Sequence, residues 1–172
     1  MNSREAAKLS LRMKSEAIDL GLCQKWTEEW ADGTSKDEMV EKFIAGIDFC
    51  IKHDWSSVEV MKKDFGDVIH NHGVYADEAV RLTNPYTVIL NGRCDASMTC
   101  DMFAVTNIYV RHSSKLNIVV KDRASVHISV YDNAEVDIKT YGDARCFVFK
   151  YGGKVTTGGS GKITIRERET DN

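Results

Sequence analysis

The sequence predicts an α+β chain in which an N-terminal helical region is followed by a short parallel β-solenoid. Three observations predict it. Apolar residues recur at helical spacing up to Phe65; from Pro85 they recur at every second position; and a ten-residue phrase lies over that alternation, plainest in SVHISVYDNA followed by EVDIKTYGDA (residues 125–144). The boundaries that follow are a helical domain over 1–66, a connection over 67–84, a solenoid over 85–165 and a polar tail over 166–172.

In the helical region, Leu9, Met13, Ala17 and Leu20 keep helical spacing behind Ser3, a residue suited to capping, and Gly21 is a stop. Leu22, Trp26 and Trp30 lie four apart and continue onto a second short helix ending at Asp32-Gly33. Ser35-Lys36-Asp37-Glu38 has the form of a capping box: the serine hydroxyl accepts from the backbone amide three residues on, and the glutamate accepts from the serine amide. Behind it, Met39, Val40, Phe43, Ile44, Ile47 and Ile51 form the strongest amphipathic stripe of the chain. Ser56 with Glu59 repeats the box before Val60, Met61 and Phe65, and Gly66 ends that helix. Residues 67–84 keep neither period and read as connection.

From Pro85 the chain divides without insertion into seven ten-residue units: PYTVILNGRC, DASMTCDMFA, VTNIYVRHSS, KLNIVVKDRA, SVHISVYDNA, EVDIKTYGDA and RCFVFKYGGK. The fourth position is apolar in every unit (Val88, Met98, Ile108, Ile118, Ile128, Ile138, Val148), and the second, from Tyr86 on, and the sixth are mostly apolar or small. The tenth is small through Ala144, and positions eight and nine carry turn residues, as in Asp132-Asn133 and Gly142-Asp143. Each unit is therefore one strand and one turn. Equal lengths favour a parallel solenoid with two units per coil, because coils stacked in register must match in length. The alternative is an antiparallel meander, whose inward positions face each other only across three-residue loops.

The phrases Tyr131-Asp132-Asn133-Ala134 and Tyr141-Gly142-Asp143-Ala144, set among alternating Val and Ile, resemble the Ala-punctuated repeats of predicted β-solenoids in bacterial and phage proteins. GIDFCIKHDW (46–55), VILNGRC (88–94) and IYVRHSS (108–114) are similar to a family of small proteins of gut bacteria and their phages with no assigned activity. The resemblance spans most of the chain. It implies this architecture and a phage or mobile-element setting, and it supplies no active site.

Charge narrows the function. Of the net −3, residues 1–80 carry −6 (10 Lys/Arg, 16 Asp/Glu) and residues 81–172 carry +3 (13 against 10). An acidic helical half is unfit for phosphate contacts and the surplus on the second half is small, so nucleic acid is not an expected partner. The segment VEVMKKDF behind KHDWSS has the outline of a helix-turn-helix, yet sets only Lys62 and Lys63 beside Glu59 and Asp64. No apolar run reaches the ~18 residues of a membrane span, and charges interrupt the first twenty residues where a signal peptide has its apolar core. A cytoplasmic location without membrane association is expected. The five cysteines, odd in number and without CxxC spacing, read as reduced and mostly buried thiols.

Chemistry has few candidates. GGKVTTGGSGK (152–162) suggests a phosphate loop, but Thr156 and Ile163 stand where that loop needs glycine and Ser or Thr, so the segment reads as a terminal loop leading to a last strand at Ile163 and Ile165. His70 and His72 are weak metal candidates, with only Asp67 and Asp77 near them in sequence. Arg111, His127, Asp137 and Lys139 are outward and titratable without a spacing that sets them apart from a solvated face. The aromatic residues stand out more. Alternate units place Tyr109, Phe147 and Phe149 outward on one face with Ile89, and the seventh position adds Tyr131, Tyr141 and Tyr151, rings of the kind enriched at interfaces. Either the N-terminal helices or another chain is expected to cover that face. The expected function is structural or protein-interacting rather than catalytic, without a cofactor, through a protein partner or self-association. The alternative is a small enzyme or a metal- or ligand-binding protein working on the solenoid flank or near His70 and His72.

Overall fold

The computed structural model describes residues 3–31 and 33–169, which fall into a helical unit up to His72 and a β unit from Gly73. Among the described residues no helix is long and apolar enough to cross a membrane.

The helical unit holds α1 (Ser3–Asp19), α2 (Gln24–Glu29), α3 (Lys36–Ala45), α4 (Ile47–Lys52) and the short α5 (Val58–Val60), which runs on as a π turn over Met61–Phe65 and a 3-10 turn over Gly66–His72. The expected apolar positions form its core: Leu9, Met13, Ala17, Trp30, Met39, Val40, Phe43, Ile47, Met61 and Phe65 are buried. Leu20 instead stays exposed. α1 starts at Ser3, whose side chain lies outside the described residues, as does Asp32. The first capping box is formed: Ser35 Oγ accepts from Glu38 N at 3.2 Å and Glu38 Oε2 accepts from Ser35 N at 2.7 Å. The Ser35 amide, then its hydroxyl, holds the Glu38 carboxyl below its ordinary range, so this contribution is present above that range and is lost as pH falls below it and through the lowered value. The second box is not formed: Ser56 is buried, and Ser57 instead caps alone by accepting from Val60 N at 3.3 Å. The long amphipathic stripe is also interrupted, at Gly46 between α3 and α4.

The β unit is the expected parallel solenoid, not the meander. Among the described residues, strands alternate between two all-parallel sheets: a six-stranded one in the order β1 (Val74–Ala76), β3 (Thr87–Asn91), β5 (Val105–Val110), β7 (Ser125–Val130), β9 (Arg145–Lys150) and β11 (Lys162–Glu167), and a five-stranded one in the order β10 (Lys154–Gly159), β8 (Glu135–Thr140), β6 (Lys115–Val120), β4 (Asp95–Cys100) and β2 (Ala79–Thr83). The regular part comprises β3 to β9. Within this part, neighbouring strands of each sheet pair at an interval of twenty residues, as in Val88↔Ile108 and Ile118↔Ile138. The fourth position of every unit is buried, and it forms one continuous core with the apolar second, sixth and tenth positions. One outward row alternates in charge from coil to coil, Asp95, Lys115, Glu135 and Lys154, and Lys115 and Glu135 meet at 3.6 Å.

The solenoid is longer than the repeat. It starts at Val74, inside the expected connection, with β1 (Val74–Ala76) and β2 (Ala79–Thr83), and the segment expected as a terminal loop contains β10 (Lys154–Gly159). The last strand stands as expected, β11 (Lys162–Glu167), and takes two residues from the expected polar tail. The glycines that suggested a phosphate loop serve close packing: a Cβ at Gly153 would lie 2.2 Å from the Ala134 carbonyl oxygen, and one at Gly159 2.0 Å from that of Thr140.

Turns are joined from coil to coil through their eighth position, where φ is positive at Gly92, Met102, His112, Asp122, Asp132 and Gly142. A polar side chain there accepts from the amide of its counterpart one coil earlier: Asp132 Oδ2 from His112 N at 2.8 Å, His112 Nδ1 from Gly92 N at 2.8 Å, and Asp122 Oδ2 from Met102 N at 3.1 Å.

Cys50, Cys94, Cys100 and Cys146 are buried and Cys23 is exposed. Burial pushes the Cys146 thiol up to about 12 and raises Cys94 and Cys100 as well. Since the thiolate is the reactive form, iodoacetamide at pH ~8 is expected to alkylate Cys23 in the native chain and the other four after denaturation. Mass spectrometry of the adducts checks this, and rapid native labelling of Cys146 would contradict it.

Candidate interaction surface

Stacking in register places equal positions of successive coils about 4.8 Å apart, close to the distance at which rings stack. Two of the expected interface aromatics, Tyr131 and Tyr151, use that spacing with each other, and Phe147 uses it with His127. Tyr131 and Tyr151 stack with centroids 4.6 Å apart and planes 8° from parallel, and Tyr131 is only 7% exposed. Phe147 on β9 stacks on His127 of β7 at 5.1 Å and 13°, and Arg168 lies 5.7 Å above the ring of Phe149. Tyr109, Phe147, Phe149 and Tyr151 are half-buried, Ile89 is fully buried, and Tyr141, at a turn, is exposed. These rows bind coil to coil, and what they offer to a partner is partial.

Arg111 is not outward as its position suggested. It is 2% exposed at the turn row shared with Asn91, Tyr131 and Tyr151, and its Nη1 donates to Asn91 Oδ1 at 3.0 Å. His70 and His72 lie on the 3-10 turn; Nε2 of His72 is 2.9 Å from Asp37 Oδ1, and Nδ1 of His70 is 4.0 Å from Asp67 Oδ1. Among the described residues no group of three or more His, Cys, Asp or Glu side chains converges as a metal would need. On the five-stranded sheet, Asp137 lies at a shallow depression of about 110 Å³ with Lys115, Glu135 and Lys154.

The largest exposed apolar side chains of the β unit gather elsewhere, at turns leading from the five-stranded to the six-stranded sheet. Tyr86 is 76% exposed, Phe103 72%, Met102 65% and Val105 53%. They are neighbours through the coil geometry: the Tyr86 carbonyl accepts from Asn107 N at 2.9 Å, which sets Tyr86 beside the start of β5, where Val105 lies just past the Met102-Phe103 turn. Tyr86 occupies a second position expected to face inward, and it falls outside because it precedes β3, after a coil shorter than the rest.

Met102 and Phe103 are out of character for their place. Equivalent turns carry Gly92-Arg93, His112-Ser113, Asp122-Arg123, Asp132-Asn133 and Gly142-Asp143, residues that tolerate a left-handed backbone or bond within it. Met102 holds φ +55° without either aid, a conformation that costs an L residue roughly 1 kcal/mol or more. The turn that presents them is firmly held. Asn84 and Asp101 bond reciprocally, side chain to side chain at 2.7 Å and side chain to amide at 2.8 Å, Lys121 pairs with Asp101 at 3.6 Å, and the Arg123 guanidinium lies 5.7 Å over the Phe103 ring. Apolar groups on a rigid, water-facing turn, kept at a local backbone cost, do nothing for the core. The signal was visible in the sequence as the one apolar pair at turn positions eight and nine.

No family model, curated protein or solved structure matches this chain, so its fold and this surface are what characterise it.

Proposed function

We propose that the protein is a non-catalytic structural or protein-interaction protein in which the solenoid is a rigid frame and the corner formed by Tyr86, Met102, Phe103 and Val105 is the contact surface. The observation that carries this reading is the left-handed Met102 beside an exposed Phe103. Exposed apolar clusters on ordered backbone favour contact with another protein surface, and strain at a defined position is a pointer to use rather than to packing. Mixed charge, Asp101, Lys121, Asp122 and Arg123, borders the Met102-Phe103 turn and suits a protein partner better than a nucleic acid backbone.

Replacing Phe103 with p-benzoylphenylalanine and irradiating the protein in the cells that make it tests the reading. A discrete cross-linked product is expected, at twice the chain mass for self-association or at a new mass for another protein. The same photo-reactive residue at Asp143, exposed at the equivalent turn place two coils on, is expected to give none. Absence of a discrete product at 103, or equal products at both places, would contradict the assignment.

A further inference from the structure

We propose that the helical unit holds a binding site for a small organic anion with a flat aromatic body. The site is independent of the solenoid corner. A cavity of about 290 Å³ opens among α2, α3 and α4, at the small end of the range for ligand pockets. All three tryptophans of the chain, Trp26, Trp30 and Trp55, line it, together with Phe43 and Phe49.

The walls are held from behind. Trp30 Nε1 donates to Ser10 Oγ at 2.9 Å and Trp55 Nε1 to Glu16 Oε2 at 3.3 Å, so both indoles are fixed by bonds to α1. Trp55 meets Trp30 edge-on at 6.3 Å and Phe49 at 6.2 Å. Gly46 keeps the space open. Its φ of −101° suits any residue; a Cβ would stand 3.3 Å from the Lys42 carbonyl oxygen, a tight contact, and 3.9 Å from the Trp26 ring. Gly46 is the C-cap of α3 and the N-cap of α4, and without a side chain it leaves the volume beside Trp26 unfilled.

Charge selects the ligand class. Lys42 lines the cavity half-buried, and its ammonium donates to the Glu29 carbonyl at 3.1 Å while forming no ion pair with a carboxylate among the described residues. An ammonium has three donors; Glu38, exposed one turn earlier on α3, is the carboxylate that feels its charge, and against apolar walls the cation attracts an anion more strongly than in water. The acidic residue of the lining, Asp48, is exposed and solvated. A bicyclic carboxylate combines the ring the indoles would stack with and the charge Lys42 would hold.

The full chain would be titrated with 1-naphthoate, with 1-naphthalenemethanol as the neutral counterpart and 1-naphthylmethylamine as the cationic one. Tryptophan fluorescence and calorimetry would both be read. Saturable one-to-one binding of naphthoate is expected, about tenfold tighter than either counterpart, as a charged hydrogen bond confers. Lys42→Met is expected to weaken naphthoate about tenfold and erase the preference with the helical circular dichroism unchanged, and Trp26→Ala to weaken all three ligands. If Trp26→Ala loses helical signal, Lys42→Met decides. No saturable naphthoate binding at millimolar concentration, equal binding of the three ligands, or an unaltered preference in Lys42→Met would each overturn the proposal.

Discussion

Replacing Ile128 with alanine is expected to lower the stability of the solenoid by about 3 kcal/mol. Ile128 is fully buried on β7, pairs in register with Ile108 on one side and Val148 on the other, and belongs to the same core cluster as Ile118 and Ile138. The coils are held by backbone ladders on both sides, so the surroundings have little freedom to close over the space left behind, and the cost lies well inside the range for large-to-small changes. All three tryptophans sit in the helical unit. The β-sheet circular dichroism is therefore the signal to follow through urea, with tryptophan fluorescence reporting the other unit. A loss under about 1 kcal/mol would mean that the core is loosely packed at its centre.

Gly153→Ala is expected to cost about as much, roughly 3 kcal/mol, by a different route. Gly153 has φ +70°, where an L side chain is strained, and the added Cβ would stand 2.2 Å from the carbonyl oxygen of Ala134. That oxygen accepts from Lys154 N at 2.8 Å, the bond that sets β10 on β8, so relieving the clash displaces the start of β10. Hydrogen exchange should quicken over β10 and β11 first. Gly158→Ala is the control, since its nearest neighbour is the Lys139 side chain at 3.9 Å, and it should change little. Equal effects of the two substitutions would remove the close-packing account of the glycine-rich segment.

What was legible in the sequence was what repeats. The fourth-position row from Val88 to Val148, the small tenth position and the turn residues gave the solenoid, its two units per coil and its register, because in a parallel stack each of these must recur every twenty residues. The flanking strands keep other intervals. Val74 pairs with Ile89 and Val80 with Ala96, fifteen and sixteen residues on, while Val155 pairs with Val136 and Ile163 with Cys146, at nineteen and seventeen. Strands out of phase with the decapeptide vanish from a periodic reading, and so β1, β2 and β10 were read as connection and loop.

The partial burial of the expected interface aromatics has a related cause. Outward strand positions are where the sequence places contact residues, yet a residue repeated on an outward row finds its counterpart on the next coil, as Tyr131 finds Tyr151. A turn tip has less to lean on, and there the apolar Met102-Phe103 pair breaks the pattern of its neighbours. Nor did the spacing of Trp26, Trp30 and Trp55 announce a shared cavity, since the third reaches it only through the turn after α4.

The central claim is that this turn is kept apolar for contact and against the stability of the fold, and the unfolding free energy of Met102→Gly tests it most directly. Glycine accepts φ +55° freely and Met102 is 65% exposed, so the substitution should raise stability by about 1 kcal/mol. A fall in stability would show that Met102 packs for the solenoid itself, and would contradict the assignment of this corner as a contact surface.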